Sequence, residues 1–102
     1  MKYNKLIRDR IPEIIEKNGQ TARVRVLNEA EYLAKLDEKL GEELAEYLED
    51  GQVGELADLL EVVYAAALAR GTTAEQLDAI RRKKAKERGA FAEKLLLEEV
   101  TE

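Results

Sequence analysis

Apolar residues along most of this chain recur at three- and four-residue steps, the spacing of one face of an α-helix. Leu33, Leu36, Leu40, Leu44, Tyr47 and Leu48 form the longest such stripe. Asn28 stands before it with Glu31 three positions on, the pattern of a reciprocal N-terminal cap, so a helix is predicted over about 28–50. Gly51 and Gly54 mark a short connection, and a third helix is predicted over 53–70, stopped by Gly71. Thr73 and Gln76 repeat the capping spacing and open a fourth helix over 74–89. Nearer the start, Pro12 suits a first helical turn and Gly19 a C-terminal cap, which predicts a short helix over 11–18 with Ile11, Ile14 and Ile15 turned inward. The period changes to two between them: Ala22, Val24 and Val26 alternate with Thr21, Arg23 and Arg25, the pattern of a short strand near 21–26. After Phe91 the run Leu95 to Leu97 is apolar enough to be expected to fold back on the body. The expected architecture is a single all-α domain over 1–102, a bundle of four main helices.

Composition narrows the chemistry. A chain of 102 residues, 45% hydrophobic and 38% charged with 6 Gly and 1 Pro, is neither collagen-like nor disordered. The absence of both Cys and His removes disulfides, thiolate or imidazole metal ligands, a cysteine nucleophile and an imidazole base. Catalysis would fall to carboxylates, Lys, Arg, Tyr or a metal ion. No apolar run approaches a membrane span and no segment reads as a signal peptide, so a soluble cytoplasmic protein with no membrane partner is expected. The net charge of −5 is unevenly spread: residues 1–27 carry +4, residues 28–70 carry −9, and residues 71–102 are neutral. Basic clusters at Lys5, Arg8 and Arg10 and at Arg81 to Arg88 suit phosphate. They are too short, too poor in aromatic neighbours and too acidic in context for a nucleic-acid partner.

The third predicted helix is apolar nearly all round. Between Leu56 and Ala69 its charged residues are Asp58 and Glu61, and Leu59, Val62, Val63 and Ala66 cover more circumference than one core needs, which predicts a homodimer or larger homo-oligomer. An ionised Asp58 in that setting needs a counter-ion or a metal. Glu43 and Glu46 are three apart, as are Glu55 and Asp58, so each pair shares a side of its helix. An antiparallel hairpin brings together residues equidistant from its turn, which sets Glu43 opposite Asp58 and Glu46 opposite Glu55. The expectation is four converging carboxylates with no Lys or Arg between them, a repulsive arrangement that a divalent cation relieves. All-oxygen ligation selects Mg²⁺, Mn²⁺ or Ca²⁺ over zinc or copper, and Mg²⁺ characteristically shares a few carboxylates with substrate phosphate oxygens.

Lys39-Leu40-Gly41-Glu42-Glu43-Leu44-Ala45-Glu46 followed by Glu55-Leu56-Ala57-Asp58-Leu59-Leu60-Glu61-Val62 resembles the paired E-x-x-E and E-x-x-D motif of the MazG-like all-α nucleoside triphosphate pyrophosphohydrolases. The opening Tyr3-Asn4-Lys5-Leu6-Ile7-Arg8-Asp9-Arg10-Ile11-Pro12 and the closing Lys84-Ala85-Lys86-Glu87-Arg88-Gly89-Ala90-Phe91 resemble the small stand-alone branch often described as phosphoribosyl-ATP pyrophosphohydrolase-like, with Ala90 where a second glycine is usual. The resemblance implies Mg²⁺-dependent cleavage of a nucleoside triphosphate, including non-canonical ones, to the monophosphate and pyrophosphate. It carries Glu43, Glu46, Glu55 and Asp58 over as metal ligands. Water would then be the nucleophile, with Glu43 or Glu46 as its base, and Lys5, Arg8, Lys84 and Arg88 are the candidates for binding the phosphates. Asp9, between two arginines, is expected to be an ion-pair partner. Two alternatives stand beside this reading: the phosphoribosyl-ATP pyrophosphohydrolase of histidine biosynthesis, and a non-catalytic helical interaction module.

Overall fold

The computed structural model describes residues 3–102 and is helical throughout its regular parts. Four helices follow in order: α1 (Ile11–Lys17), α2 (Glu29–Asp50), α3 (Val53–Ala69) and α4 (Ala74–Arg88). Both predicted capping boxes form. The Asn28 side chain accepts from the Glu31 N–H at 2.9 Å, and Glu31 Oε1 accepts in return from the Asn28 N–H at 3.4 Å. Thr73 Oγ1 and Gln76 repeat the exchange at 3.1 and 2.9 Å. Glycine ends two of the helices in the same way: with Gly19 at φ 80° and Gly71 at φ 84°, the chain reverses so that Gln20 N–H reaches Ile15 O and Thr72 N–H reaches Ala67 O. That closure satisfies carbonyls a helix end leaves orphaned, and it calls on the left-handed conformation glycine adopts without strain.

Gly51 (φ 68°) and Gln52 alone separate α2 from α3, so the two form a tight antiparallel hairpin, with the Gly51 N–H donating to Tyr47 O at 2.7 Å. The core is this seam. Leu36 is the fully buried apolar side chain of the described residues, at 1% exposure, and Glu43 is the buried charged one. α4 packs on α3 only, and α1 packs on no other helix. The bundle is therefore open, 64 × 31 × 22 Å, with a radius of gyration of 18.1 Å against about 13 Å for a compact domain of this length. No helix among the described residues is long and apolar enough to cross a membrane.

Three expectations fail. Ile14 is 49% exposed rather than turned inward, because α1 packs on no other helix. Residues 21–26 form no strand: they are irregular, Val26 is 97% exposed, and Arg25 instead clamps Glu31 through both its terminal nitrogens at 3.1 and 2.8 Å. A two-residue period needs a neighbouring strand to become a sheet, and no second strand forms among the described residues. The tail does not fold back either. Phe91, Leu95, Leu96 and Leu97 are 79 to 96% exposed, because α4 leads the chain away from the hairpin and its own outer face is basic rather than apolar.

The capping box at Asn28 anchors the start of the longest helix. Asn28→Ala should lower stability by about 1 kcal/mol, read as a shift of the urea midpoint at unchanged slope.

Candidate metal centre

The hairpin register brings acids from both helices to one level. One carboxylate oxygen each from Glu43 of α2 and from Glu55 and Asp58 of α3 lies within 4.8 Å of the other two. Oxygens around a Mg²⁺ bound at about 2.0–2.1 Å are roughly 3 to 4 Å apart, so small side-chain adjustments bring this trio into a ligand set. A cluster of acids alone says little, but here Glu43 is 7% exposed, and Glu43 Oε2 and Glu55 Oε2 are closed off from water without a hydrogen-bond partner. A buried polar atom left unpaired is costly, and an oxygen-ligated cation satisfies both at once. The donor set fits Mg²⁺ or Mn²⁺.

The electrostatics agree. Burial first, and then the Glu46 carboxylate, pushes the Glu43 carboxyl above its ordinary value, only partly opposed by Lys39. Burial and the nearby carboxyls of Glu46 and Asp50 push Glu55 up in the same way. Glu31 moves in the opposite direction, held down by Arg25, which is what an ordinary structural ion pair does to a carboxylate.

The structure corrects one part of the sequence reading. Cations do stand on these acids: Lys39 Nζ lies 3.5 Å from Glu43 Oε1, and Arg8 Nη2 donates to Asp58 Oδ1 at 2.8 Å. Lys39 is four residues before Glu43 and shares its helix face, a spacing that could have shown the contact. Arg8 lies 50 positions from Asp58, beyond the reach of any spacing rule. Asp58 is accordingly less buried than its apolar helix suggests, with 46% of its side chain exposed.

Glu46 is exposed and stays outside the trio, although it is close enough to load both buried acids with like charge. Lys5 pairs with Glu42 at 3.2 Å rather than with the trio. Residues 6–10 cross over the acids and, with α2 and α3, enclose a cleft of about 410 Å³ that Arg8, Arg10, Tyr32, Lys39 and Glu61 line together with Glu43 and Asp58. Tyr32 is thus the aromatic side chain placed to meet a ligand there. Lys84 and Arg88 are not brought to this cleft: they ride on α4, and Arg88 lines a separate groove of about 300 Å³ with the start of the tail. Asp9 lines the cleft and makes no ion pair among the described residues.

No protein-family model matches the chain, and no solved structure does. An uncharacterized protein of Mycolicibacterium smegmatis is 56% identical over 41 residues, a match covering 40% of this chain and 42% of that relative's length.

Because Glu43 and Glu55 are both raised, they favour the folded state most when protonated. Without a divalent cation, stability should rise as pH falls from neutral towards the ordinary glutamate value of 4.5 and be lost again as pH rises through the raised values. Thermal melts in chelator across that range check the sign, and the Glu43→Gln, Glu55→Gln double variant should flatten the slope.

Proposed function

We propose that this chain is a nucleoside triphosphate pyrophosphohydrolase of the MazG-like kind, dependent on Mg²⁺ or Mn²⁺, which releases a nucleoside monophosphate and pyrophosphate. The observation that supports it most is the trio of Glu43, Glu55 and Asp58 with its two orphaned oxygens, beside a cleft that Glu43 and Asp58 line together with Arg8 and Arg10. Carboxylates that hold a cation and arginines that hold phosphate, side by side, match the demands of phosphoryl transfer, which is mostly positioning and neutralisation of charge.

Each side chain then has a separable task. Glu43, Glu55 and Asp58 hold the cation, which when bound supplies Lewis acidity toward phosphoryl oxygens. Glu46 lies beside the trio and open to solvent, so it is the better placed of the two candidate bases to take a proton from an attacking water; Glu43 is buried and tied to Lys39. Arg8 and Arg10 face the polyphosphate, and Tyr32 offers a ring face at the cleft. Lys84 and Arg88 have no part in this cleft within one chain.

Assembly belongs to the same reading. The accessible surface is 9320 Å², against about 5,800 Å² for a compact monomer of this mass. Successive helical residues turn by about 100°, so Leu44 and Leu48 on α2 and Leu56 and Leu60 on α3 face away from the cleft. These four leucines are 41 to 71% exposed. A second copy covering that side gives a homodimer or larger assembly with both clefts open. Leu56 and Leu60, rather than the half-buried Leu59, Val62, Val63 and Ala66, are the α3 residues available for it.

Three measurements test these statements. Hydrolysis assays with Mg²⁺ over canonical and modified nucleoside triphosphates and phosphoribosyl-ATP should yield pyrophosphate for at least one of them. Glu55→Gln should abolish that activity while melting at the same or a higher temperature in chelator, and it should lose the Mg²⁺ stabilisation of roughly 3 kcal/mol expected of the parent at a hundredfold excess over Kd. An active variant would remove Glu55 from the site. Sedimentation equilibrium should give a multiple of the 11.5 kDa chain, reduced by Leu60→Lys; a monomeric parent chain would refute the assembly.

A further inference from the structure

Residues 3–10 lie across the acids as a strap held at three points. Lys35 Nζ donates to Asn4 O at 3.2 Å, Lys5 pairs with Glu42 at 3.2 Å, and Arg8 pairs with Asp58 at 2.8 Å. The first two contacts fall outside the trio, so Arg8 is the strap's hold on it. The Arg8 side chain is 57% exposed and that of Asp58 46%. An ion pair this open to water exchanges partners at little cost. Lys39 differs: it is 22% exposed, sits one turn from a Glu43 side chain that is itself only 9% exposed, and belongs to the same helix. Of the two cations touching the acids, Arg8 is the one able to leave without disturbing the hairpin.

We infer that Arg8 has two stations, the Asp58 carboxylate and the polyphosphate of a bound substrate, and that a divalent cation taken up by Glu43, Glu55 and Asp58 drives it from the first to the second. This rests on the proposed metal centre and adds an order of events to it. A guanidinium and a divalent cation drawing on one carboxylate stand a few ångströms apart and repel each other. The cation has two further carboxylates to hold it; Arg8 has only Asp58. Once displaced, the guanidinium remains tethered by the strap in the cleft that Arg10 also lines, and its planar fork suits two phosphate oxygens at once. Arg8 therefore opposes loading of the bare cation and favours the cation together with polyphosphate. An arginine that merely pins the strap would affect both events in the same direction, or neither.

The test is calorimetric titration of the full chain with Mn²⁺ alone, and with inorganic tripolyphosphate at saturating Mn²⁺, a probe that leaves base recognition out. Arg8→Gln should bind Mn²⁺ alone roughly two- to fivefold more tightly than the parent and tripolyphosphate about tenfold more weakly. Arg8→Lys keeps the charge and loses the fork, so it should restore the parent's Mn²⁺ affinity without restoring that for tripolyphosphate. Hydrogen exchange of the residue 6–10 amides in the parent should speed up on adding Mn²⁺ and slow again with tripolyphosphate. Equal or weaker Mn²⁺ binding in Arg8→Gln, or unchanged tripolyphosphate binding, would overturn the two stations and leave the metal centre standing. Failure of the parent chain itself to bind Mn²⁺ would overturn both.

Discussion

The register of α2 against α3 is the constraint on which the rest of this structure depends. The connection at Gly51 and Gln52 is too short to allow slippage, so residues equidistant from it meet across the seam. That fixes Glu43 at the level of Glu55 and Asp58, and it places Leu44, Leu48, Leu56 and Leu60 on the other side of the pair. One turn therefore sorts the hairpin into an acidic side and an apolar side. A one-residue change of connection would rotate the two helices against each other by about 100° and separate the trio.

Much of this is legible in the sequence because the signals are local. The four helices lie within one or two residues of their predicted bounds, since each begins or ends on a cap written in adjacent side chains: Asn28 with Glu31, Thr73 with Gln76, Gly51, Gly71. The acid register could be counted from the turn. What could not be counted is what arrives from elsewhere. Arg8 reaches Asp58 across most of the hairpin's sequence, and nothing near either residue announces it. The alternation at 21–26 reads as a strand, but among the described residues no second strand forms to pair with it. Glu46 falls outside the trio although it repeats the three-residue spacing of Glu55 and Asp58, because Glu43, one turn earlier, is the residue facing the seam.

The open shape and the exposed leucines belong to the same physical problem. A chain in which Leu36 alone is a fully buried apolar side chain among the described residues has not covered the apolar surface its composition provides. The hairpin cannot do so by closing on itself, since α4 packs on α3 alone and α1 packs on no other helix. The uncovered leucines lie opposite the acids, so association and chemistry need not compete for surface. The basic face of α4, including Lys84 and Arg88, lies off the cleft.

The direction in which their environment pushes these acids sets them apart from an ordinary ion pair. A perturbed carboxyl often signals nothing more than an ion pair. Such a pair stabilises the charged form and lowers the pKa, as Arg25 does for Glu31 at the start of α2. Glu43 and Glu55 are raised instead, Glu43 despite having Lys39 at 3.5 Å. Their surroundings penalise the charge they carry at neutral pH, and each leaves one oxygen buried and unpaired. Neutral side chains of similar volume would remove that penalty, so the acids work against the stability of a hairpin that has little core to spare. In the proposed metal centre, a cation held between them would reverse the sign of the effect, because the same burial and crowding that oppose ionisation in the bare chain would then serve as a set of ligands.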